Sequence, residues 1–420
     1  SLVGSEMCIR DRVSAMERSL DEQAHNLDAE RDATLGVAVS GGSDSLAMLH
    51  LLHDAGWSLE AATVDHGLRS EAADEAAFVA STCEAIGVPH STLKWRHADV
   101  ARNLQDQARR ARYALIRNWA HQRGIRTVAL GHTMDDQAET FLMRLARGSG
   151  IDGLSGMDAV RLDQGVTWLR PFLGARRAEL QSYLEAKGVT WIDDPSNADS
   201  RFDRVKTRHA LEHLAPLGIT PEKIAEAASH LSEARDFLNR EAQALFAAHG
   251  REDRGDVILE APAFAEAHSE MQRRTLISAL RWVSGADYPP RASAVAEVTE
   301  AVAAGLQSTL HGCVLMPGET LRVTREHNAV KDTRCSTDHL WDGRWRLNGP
   351  HADDLEIRAL GEAVKDTPWR ETGMPRQSLL ASPAVWRGDE MVAAPLAGLA
   401  NGWTASATGR GNFVDFLLSR

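Results

Sequence analysis

One short segment of the sequence has the residue types needed to hold a phosphate group. Residues 40–45 read S-G-G-S-D-S. Glycines let a backbone wrap closely around an anion, free amides at a helix N-terminus point toward it, and hydroxyls add neutral donors. The segment lacks the lysine of the G-x-x-x-x-G-K-[ST] loop, which disfavours a kinase or a GTPase. The predicted phosphate-binding residues are Ser40, Gly41, Gly42, Ser43, Asp44 and Ser45.

Three acidic residues lie within one helical turn farther along the chain. Asp135, Asp136 and Glu139 share a face, because residues three and four apart in a helix are neighbours. The helix dipole favours such N-terminal acids by ~0.3–1 kcal/mol each, which is one explanation of the cluster. Beside a predicted triphosphate loop, oxygen ligands for Mg²⁺ are the better explanation. The candidate catalytic residues are Asp44, Asp135 and Asp136, with Asp44 and Asp136 as candidate metal ligands.

The elements that must position these residues alternate between strand-length apolar runs and helix-period segments. This alternation predicts an α/β fold with a doubly wound, mainly parallel sheet and right-handed crossovers. In such sheets ligands bind at the carboxyl ends of the strands. The predicted strands are residues 35–39, 59–64, 90–95 and 127–130, and the predicted helices are residues 45–55, 70–86, 98–123 and 135–146.

The remainder of the chain predicts two further domains. Thr220-Pro221 is a good helix start, and the Ala- and Glu-rich segment after it predicts a long helix to about residue 248. A helix over 292–304 and a hairpin of 309–315 with 320–325 follow, and scattered tryptophans mark a small mixed or β domain at the end. We expect residues 13–215 to form the catalytic domain, 216–330 a mostly helical substrate-binding domain, and 331–420 the small domain. Residues 1–12 resemble a translated cloning leader.

Composition and cysteine spacing restrict the function classes. Apolar residues make up 43% of 420 and charged residues 25%, which is typical of a globular protein. No apolar run reaches the length of a membrane span, so we expect no membrane association. The four cysteines form no C-x-x-C pair, which argues against a zinc site, an iron–sulfur site and a disulfide framework, and favours the cytoplasm.

The net charge of −12 argues against a general nucleic-acid coat. Residues 94–126 are a local exception, where arginines outnumber acids along a predicted helix. This basic stripe could contact phosphate, although a solvated helix face explains it equally well. The arginines of the stripe are Arg96, Arg102, Arg109, Arg110, Arg112, Arg117 and Arg123.

The phosphate loop and the blocks that follow it in order carry a family resemblance. The loop resembles that of the N-type ATP pyrophosphatases, and residues 35–214 as a whole resemble the tRNA(Ile)-lysidine synthetases. Two positions depart from that family's pattern, since Thr133 stands where a second histidine is usual and Val205 where an asparagine is usual. The blocks are V-D-H-G-L-R at 64–69, A-R-R-A-R-Y at 108–113, L-G-H-T-M-D-D-Q-A-E-T at 130–140, R-G-S-G-I-D-G-L-S-G-M at 147–157, R-P-F-L at 170–173 with Arg177, Glu179, Leu180 and Tyr183, and W-I-D-D-P-S-N-A-D at 191–199.

The resemblance implies a reaction, cofactors and partners. The C2 oxygen of the wobble cytidine in a tRNA(Ile) with a CAU anticodon attacks ATP, pyrophosphate leaves, and free L-lysine then displaces AMP. ATP and Mg²⁺ are the implied cofactors, and one of Asp135 and Asp136 is implied to assist the lysine amine, without a basis for choosing between them. The oligomeric state stays open, with a homodimer as one alternative. Further implied nucleotide contacts are Arg112, Gly131 and His132, and implied substrate contacts are Asp65, Arg69, Glu139, Arg117, Arg204 and Arg208.

Two other functions compete with this one. A tRNA 2-thiocytidine synthetase would share the loop, but it relies on paired cysteines that this sequence lacks. A non-catalytic tRNA- or nucleotide-binding module would need the loop and not the acidic cluster, and the presence of Asp44, Asp135 and Asp136 argues against it.

Overall fold

The computed structural model of the chain describes residues 33–67, 71–96, 104–193, 203–409 and 411–418. The chain divides into two compact units, residues 1–235 and 236–420. The predictions for residues 1–12, for Arg69 and Arg102, and for the end of the 191–199 block lie outside the described residues. The domain boundaries expected at residues 215 and 330 stay predictions.

A six-stranded sheet forms the centre of the first unit, in the order β3-β2-β1-β4-β6-β5. All its pairings are parallel except that of the edge strand β5, which runs antiparallel to β6. The predicted mainly parallel sheet is therefore confirmed, with the four predicted strands at one side of it. The strands are β1 (Leu35–Ala38), β2 (Leu59–Asp65), β3 (His90–Lys94), β4 (Thr127–Leu130), β5 (Val160–Asp163) and β6 (Val166–Leu169).

The first four helices of this unit follow the first four strands as the sequence predicts, and the long helix after Thr220 was also predicted. The sequence reading did not predict strands β5 and β6 or the three helices between the fourth and the long one. Strand β1 and the first helix place Val37, Leu46 and Leu49 in one core, where each is fully buried. Burying an aliphatic side chain of this kind stabilises the fold by about 1.5–3 kcal/mol. The helices are α1 (Ser43–Asp54), α2 (Ala72–Ala85), α3 (Leu104–Arg123), α4 (Met134–Leu145), α5 (Ile151–Leu154), α6 (Arg177–Lys187) and α7 (Asp203–Leu214), and α8 (Pro221–His249) begins in this unit.

Helices α1 and α6 lie side by side and run in the same direction. At their C-terminal ends, Asp54 accepts hydrogen bonds from Tyr183 Oη at 2.7 Å and from Lys187 Nζ at 2.6 Å. At their N-terminal ends, Arg177 Nε donates to Asp44 Oδ2 at 2.8 Å. The pair therefore brings two helix N-termini to the carboxyl edge of the sheet.

The second unit contains a five-stranded antiparallel sheet in the order β7-β8-β11-β10-β9. The predicted hairpin is confirmed by the pairing of β10 with β11, and the predicted helix at 292–304 is confirmed by α11. The sequence did not predict the β7–β8 hairpin. The strands are β7 (Gly250–Asp253), β8 (Asp256–Glu260), β9 (Ser308–Leu310), β10 (Cys313–Met316) and β11 (Thr320–Arg325), and the helices are α9 (Ala261–Glu266), α10 (Ser269–Ser284), α11 (Ala292–Ala303) and α12 (His327–Val330).

The C-terminal part of this unit combines a four-stranded sheet, β12-β14-β15-β16, with the pair β13-β17. Trp341, Trp345 and Trp403 are buried in its hydrophobic core, so their role is packing. Its elements are β12 (Cys335–Ser336), β13 (Trp345–Asn348), β14 (Glu356–Ala359), α13 (Arg376–Leu380), β15 (Pro383–Arg387), β16 (Glu390–Ala393), β17 (Thr404–Ala407) and α14 (Phe413–Leu418). Among the described helices of the whole chain, none has the length and apolar character to span a membrane.

Candidate active site

The predicted phosphate loop lies between β1 and α1, at the carboxyl edge of the sheet. Gly42 is the residue before the first turn of α1, with φ −76° and ψ 163°, and no side chain caps this helix N-terminus. Within the loop, Ser45 Oγ accepts a hydrogen bond from the Ser40 amide at 3.1 Å and donates to the Gly42 carbonyl at 3.1 Å. The loop is therefore held by its own serine, while the uncapped N-terminus of α1 supplies the helix-end charge that favours an anion.

The two glycines of the loop have different surroundings. Gly41 has a φ of +89°, and a Cβ there would lie 2.7 Å from Ile192 Cδ1. Its carbonyl accepts a hydrogen bond from the Ile192 amide at 2.9 Å. Around Gly42, by contrast, the nearest atom to an added Cβ is Ser40 Oγ at 3.9 Å. Gly41 is thus needed for the path of the backbone, whereas Gly42 borders open space of the kind that a phosphate group needs.

Gly131 follows β4 and brings that strand's end against the phosphate loop. A Cβ at Gly131 would lie 3.0 Å from both the Cα and the amide nitrogen of Ser45. Only a glycine permits this approach, because backbone atoms on the other side cannot move away. The prediction of Gly131 as part of the nucleotide site is consistent with this position.

Thr133 caps helix α4 and holds the carboxylate of Asp136. The Thr133 amide and hydroxyl donate to Asp136 Oδ2 at 2.9 and 3.0 Å, and the Asp136 amide donates to Thr133 Oγ1 at 3.4 Å. This is a capping box. The threonine that replaces the family's second histidine therefore has a structural role, which fixes the orientation of Asp136.

The Arg177 guanidinium lies between carboxylates from two different helices. Its Nε donates to Asp44 Oδ2 at 2.8 Å, and its Nη2 donates to Asp136 Oδ1 at 3.3 Å. Its Nη1 lies 3.7 Å from Glu139 Oε1. The acid of the phosphate loop and the acids of α4 thus form one cluster around a single cation.

Asp135 is turned away from this cluster. It accepts hydrogen bonds from the Arg177 amide at 2.7 Å and from Arg176 Nε at 3.1 Å. The Met134 amide donates to the Ala175 carbonyl at 2.9 Å nearby. Asp135 therefore fixes the N-terminus of α4 against the N-terminus of α6.

Glu139 is 1% exposed and is surrounded by arginines. Arg208 donates to Glu139 Oε1 from Nε at 3.0 Å and from Nη2 at 2.9 Å, and Arg204 Nε lies 3.9 Å from Glu139 Oε2. Val205 follows Arg204 directly in the sequence, at the position where the family usually has asparagine, and its side chain is buried. The structure thus brings the predicted substrate residues Glu139, Arg204 and Arg208 together with Asp136.

The two acids that share Arg177 have opposite pKa shifts. Burial raises the pKa of Asp44 above its ordinary value, although Arg177 opposes the change. Burial also acts to raise the pKa of Asp136, but Arg177 and the hydrogen bond from the Thr133 amide outweigh it, and the pKa is lowered. Burial raises the pKa of Glu139 as well, against the charge of Arg208. Asp136 is therefore the acid most firmly held in its charged form.

A group of arginines without acidic partners lies beside the cluster. The guanidinium carbons of Arg109 and Arg112 are 5.5 and 5.8 Å from the centroid of the Tyr113 ring. Burial acts to raise the pKa of Tyr113, but Arg109, Arg170 and Arg112 together lower it. In the described part of the chain, neither Arg109 nor Arg112 has a carboxylate partner. Such a region of positive potential suits a phosphate group.

His132 lies between this positive group and Asp136. Burial lowers the pKa of His132 to about 3. The charge of Asp136 opposes this decrease, and the charges of Arg170 and Arg112 add to it. The lowered pKa favours the neutral imidazole of His132, and its buried Nδ1 is left without a partner among the described residues.

The structure does not bring every predicted residue to this cluster. Asp65 lies at the end of β2, where it accepts a hydrogen bond from the Gly67 amide at 2.9 Å. Arg117 lies on α3, with Nη1 3.5 Å from Asp163 Oδ2 on β5. Arg69 lies outside the described residues.

The acidic cluster fits a Mg²⁺ ion only when a ligand supplies further oxygens. Within the described ranges, no group of three or more acidic, histidine or cysteine residues is arranged to hold a metal. Asp44 and Asp136 nevertheless offer two carboxylates to one cation. Mg²⁺ is commonly bound by one or two carboxylates together with substrate phosphates and water, so these residues fit the ion as part of a nucleotide complex.

The glycine-rich segment 147–157 is fixed against α4. Gln137 Nε2 donates to the Met157 carbonyl at 2.9 Å, and the Met157 amide donates to Gln137 Oε1 at 2.6 Å. Arg144 Nη1 donates to the Gly153 and Gly156 carbonyls at 2.7 and 3.0 Å. This segment follows a helix, as the sequence indicates, and it supports the helix that carries the acids.

The sequence reading included Arg177 in the R-P-F-L block of the family resemblance but assigned no role to it or to Arg176. The two arginines stand in the stretch R-R-A-E-L at 176–180, which the structure shows at the start of α6. Cations at a helix N-terminus are unfavourable unless acids lie nearby, but no helix was predicted here, so this signal was missed.

Comparison with known proteins supports the family resemblance over most of the chain. The model of the PP-loop domain family matches residues 13–215. A tRNA(Ile)-lysidine synthase of Ruegeria pomeroyi is 48% identical, over 93% of this chain and 95% of the relative. The enzyme of that name from Zymomonas mobilis is 38% identical over 69% of this chain and 88% of its own length. The one from Wolbachia pipientis is 32% identical over 74% and 76%.

Proposed function

This chain belongs to the tRNA(Ile)-lysidine synthase family, and we propose that it joins L-lysine to the wobble cytidine of a tRNA(Ile) with a CAU anticodon. The cytidine C2 oxygen attacks the α-phosphorus of ATP and pyrophosphate leaves. The ε-amine of lysine then attacks C2, the bond from C2 to the adenylate oxygen breaks, and AMP leaves. The chain is accordingly a carbon–nitrogen ligase with a PP-loop domain that uses ATP.

One observation carries this proposal. Asp44 in the phosphate loop and Asp136 in the first turn of α4 are 92 residues apart in the chain. Both carboxylates nevertheless bind the same Arg177 guanidinium. A binding module would need the loop alone. An enzyme that drives pyrophosphate from ATP needs acids and cations at the edge of that loop.

The loop and its neighbours account for ATP binding. The amides of the α1 N-terminus and the open space beside Gly42 receive the phosphates. Arg112 lies over the Tyr113 ring and is one of the cations near His132, and both residues are proposed to contact the nucleotide. Asp44 and Asp136 would hold Mg²⁺ together with the phosphates, and the ion would supply positive charge near the leaving pyrophosphate.

Glu139 and the arginines around it are the proposed substrate side of the site. Glu139 is paired with Arg208, so its proposed part is to orient the cations of this side. Free lysine carries an ε-ammonium with a reference pKa of ~10.4. That ammonium must lose a proton before it attacks. We propose Asp136 rather than Asp135 for this assistance, because Asp135 is bound to the N-terminus of α6.

The proposed tRNA contacts are cations at the edge of the site. Arg204 and Lys206 on α7 are 47% and 61% exposed, and Arg208 on the same helix reaches Glu139. Arg117 on α3 is a further candidate for a phosphate contact. Local cations of this kind allow a chain with net charge −12 to hold one RNA and repel others. We place the reaction in the cytoplasm, where the free Cys83, Cys313 and Cys335 would stay reduced.

The direct test is lysine incorporation by the purified protein. A tRNA(Ile) transcript with a CAU anticodon, ATP, Mg²⁺ and labelled L-lysine should yield labelled tRNA together with AMP and pyrophosphate. A transcript with the wobble cytidine replaced by uridine is the matched control and should take up no label. Incorporation of sulfur in place of lysine would indicate a thiocytidine enzyme, and tight tRNA binding without turnover would indicate a binding module.

A further inference from the structure

We infer that Arg177 is a resident counter-cation of the acidic cluster, which keeps Mg²⁺ out of the nucleotide-free site so that the metal enters with ATP. The inference rests on the proposed use of ATP and Mg²⁺ at this site. It concerns a residue to which neither the loop pattern nor the family resemblance assigns a role.

The position of Arg177 makes it a substitute for a metal ion. Its guanidinium hydrogen-bonds to Asp44 Oδ2 and to Asp136 Oδ1, the same two carboxylates that can hold Mg²⁺. The Arg177 side chain is 24% exposed, and those of Asp44 and Asp136 are 17% and 10% exposed. A partly buried cation paired with partly buried acids is screened little by salt.

Without Arg177 the cluster would be strongly repulsive. An arginine guanidinium stays charged at every pH of interest, so Arg177 stays paired with Asp44 and Asp136. Two carboxylates paired with one arginine keep a net charge of only about −1 for a divalent ion. In the described part of the chain no third acidic ligand completes a metal site.

The entry of Mg²⁺ then depends on ATP. The triphosphate brings negative charge and oxygen ligands to the loop beside Asp44, and it gives the guanidinium an alternative partner. Arg177 can turn from the carboxylates to a phosphate oxygen, and the metal takes its place. Because Arg177 and the metal ion compete for the same two acids, the metal binds only together with ATP.

Metal binding to the nucleotide-free protein tests this. We expect Arg177→Met to raise the affinity for Mn²⁺, measured by the paramagnetic resonance of free Mn²⁺, by roughly tenfold or more, since it removes a unit positive charge within a few ångströms of the ligands. Its thermal unfolding temperature should fall without metal and recover when Mg²⁺ is added. Arg177→Lys keeps the positive charge but loses the forked pair of donors, so its Mn²⁺ affinity should be intermediate. This variant replaces Arg177→Met in the test if the methionine variant does not fold.

Arg176→Met is the matched control. Arg176 is the neighbouring arginine and pairs with Asp135 and Glu222, not with Asp44 or Asp136. Its loss should destabilise the protein without changing Mn²⁺ affinity, and Mg²⁺ should not restore its stability. Equal or weaker Mn²⁺ binding by the folded Arg177 variants than by the wild-type protein would overturn the inference. Because the assay contains no lysine and no tRNA, its result is independent of whether the protein forms lysidine.

Discussion

Asp135 and Asp136 are adjacent in the chain, but their carboxylates bind different helices. Asp135 accepts the Arg177 amide at the N-terminus of α6, whereas Asp136 accepts the Thr133 amide of its own helix and the Arg177 side chain. Neighbouring residues in a helix point about 100° apart, so one acid can serve the packing and the other the site.

Asparagine substitutions should separate the two roles. Asp136→Asn should reduce the rate of pyrophosphate release by roughly 10²- to 10³-fold with little change in tRNA affinity, because the lost charge acts mainly in the reaction. Asp135→Asn should instead lower the free energy of unfolding by about 1–3 kcal/mol, because it weakens charged hydrogen bonds. Turnover, tRNA affinity and urea unfolding of both variants decide this. Equal losses of turnover and tRNA affinity in Asp136→Asn would mean that Asp136 is a structural acid.

The two loop glycines should respond differently to substitution. Gly42→Val should abolish ATP binding and leave the fold intact, because the added side chain enters only the space beside the loop. Gly41→Ala should destabilise the fold, because its φ is +89° and its Cβ would meet Ile192. ATP titration calorimetry and thermal unfolding measure both effects. Unchanged ATP affinity in a folded Gly42→Val protein would show that the loop is only a helix cap.

His132 should make the protein sensitive to acid. Its pKa of about 3 in the folded state lies below the ordinary 6.5, so the unfolded chain takes up the proton first as the pH falls. The stability is complete above the ordinary pKa and declines between about pH 6.5 and 3, by up to about 2 kcal/mol at pH 5. Urea unfolding at pH 7.5 and pH 5 should show a smaller loss for His132→Asn than for the wild-type protein. The same loss in both would contradict a buried neutral imidazole.

Arg117 should contribute to tRNA binding through its charge. Replacing a phosphate-contacting arginine weakens binding and flattens its salt dependence by roughly one unit of slope or somewhat less. We expect this of Arg117→Ala, with ATP affinity unchanged, in filter-binding titrations at several salt concentrations. Arg161→Ala is the control, because Arg161 lies 3.5 Å from the same Asp163 oxygen as Arg117. An equal change in both variants would assign the effect to the surroundings of Asp163.

The sequence predicted the features that depend on nearby residues. The strand, loop and helix around Gly41 and Gly42 follow from local residue types, and the alternation of β1 to β4 with α1 to α4 follows from apolar periodicity. The short strands β5 and β6 were not predicted. The contact between Arg177 and Asp44 joins residues 133 positions apart and depends on how α6 packs on α1. No local pattern encodes such a pairing. The β7–β8 hairpin was missed for a related reason, because the helix pattern of α8 runs directly up to Gly250.

The parallel pair of α1 and α6 links the surface of the protein to its chemistry. Asp44 and Asp54 are ten positions apart on one helix, and Arg177 and Lys187 are ten apart on the other, so the two ion pairs have the same spacing. At 1.5 Å per residue the spacing is about 15 Å, and a slide of one helix would lengthen both pairs together. The contact of Lys187 and Tyr183 with Asp54 at the surface therefore helps to keep Arg177 in register with Asp44, about 15 Å away along the same two helices.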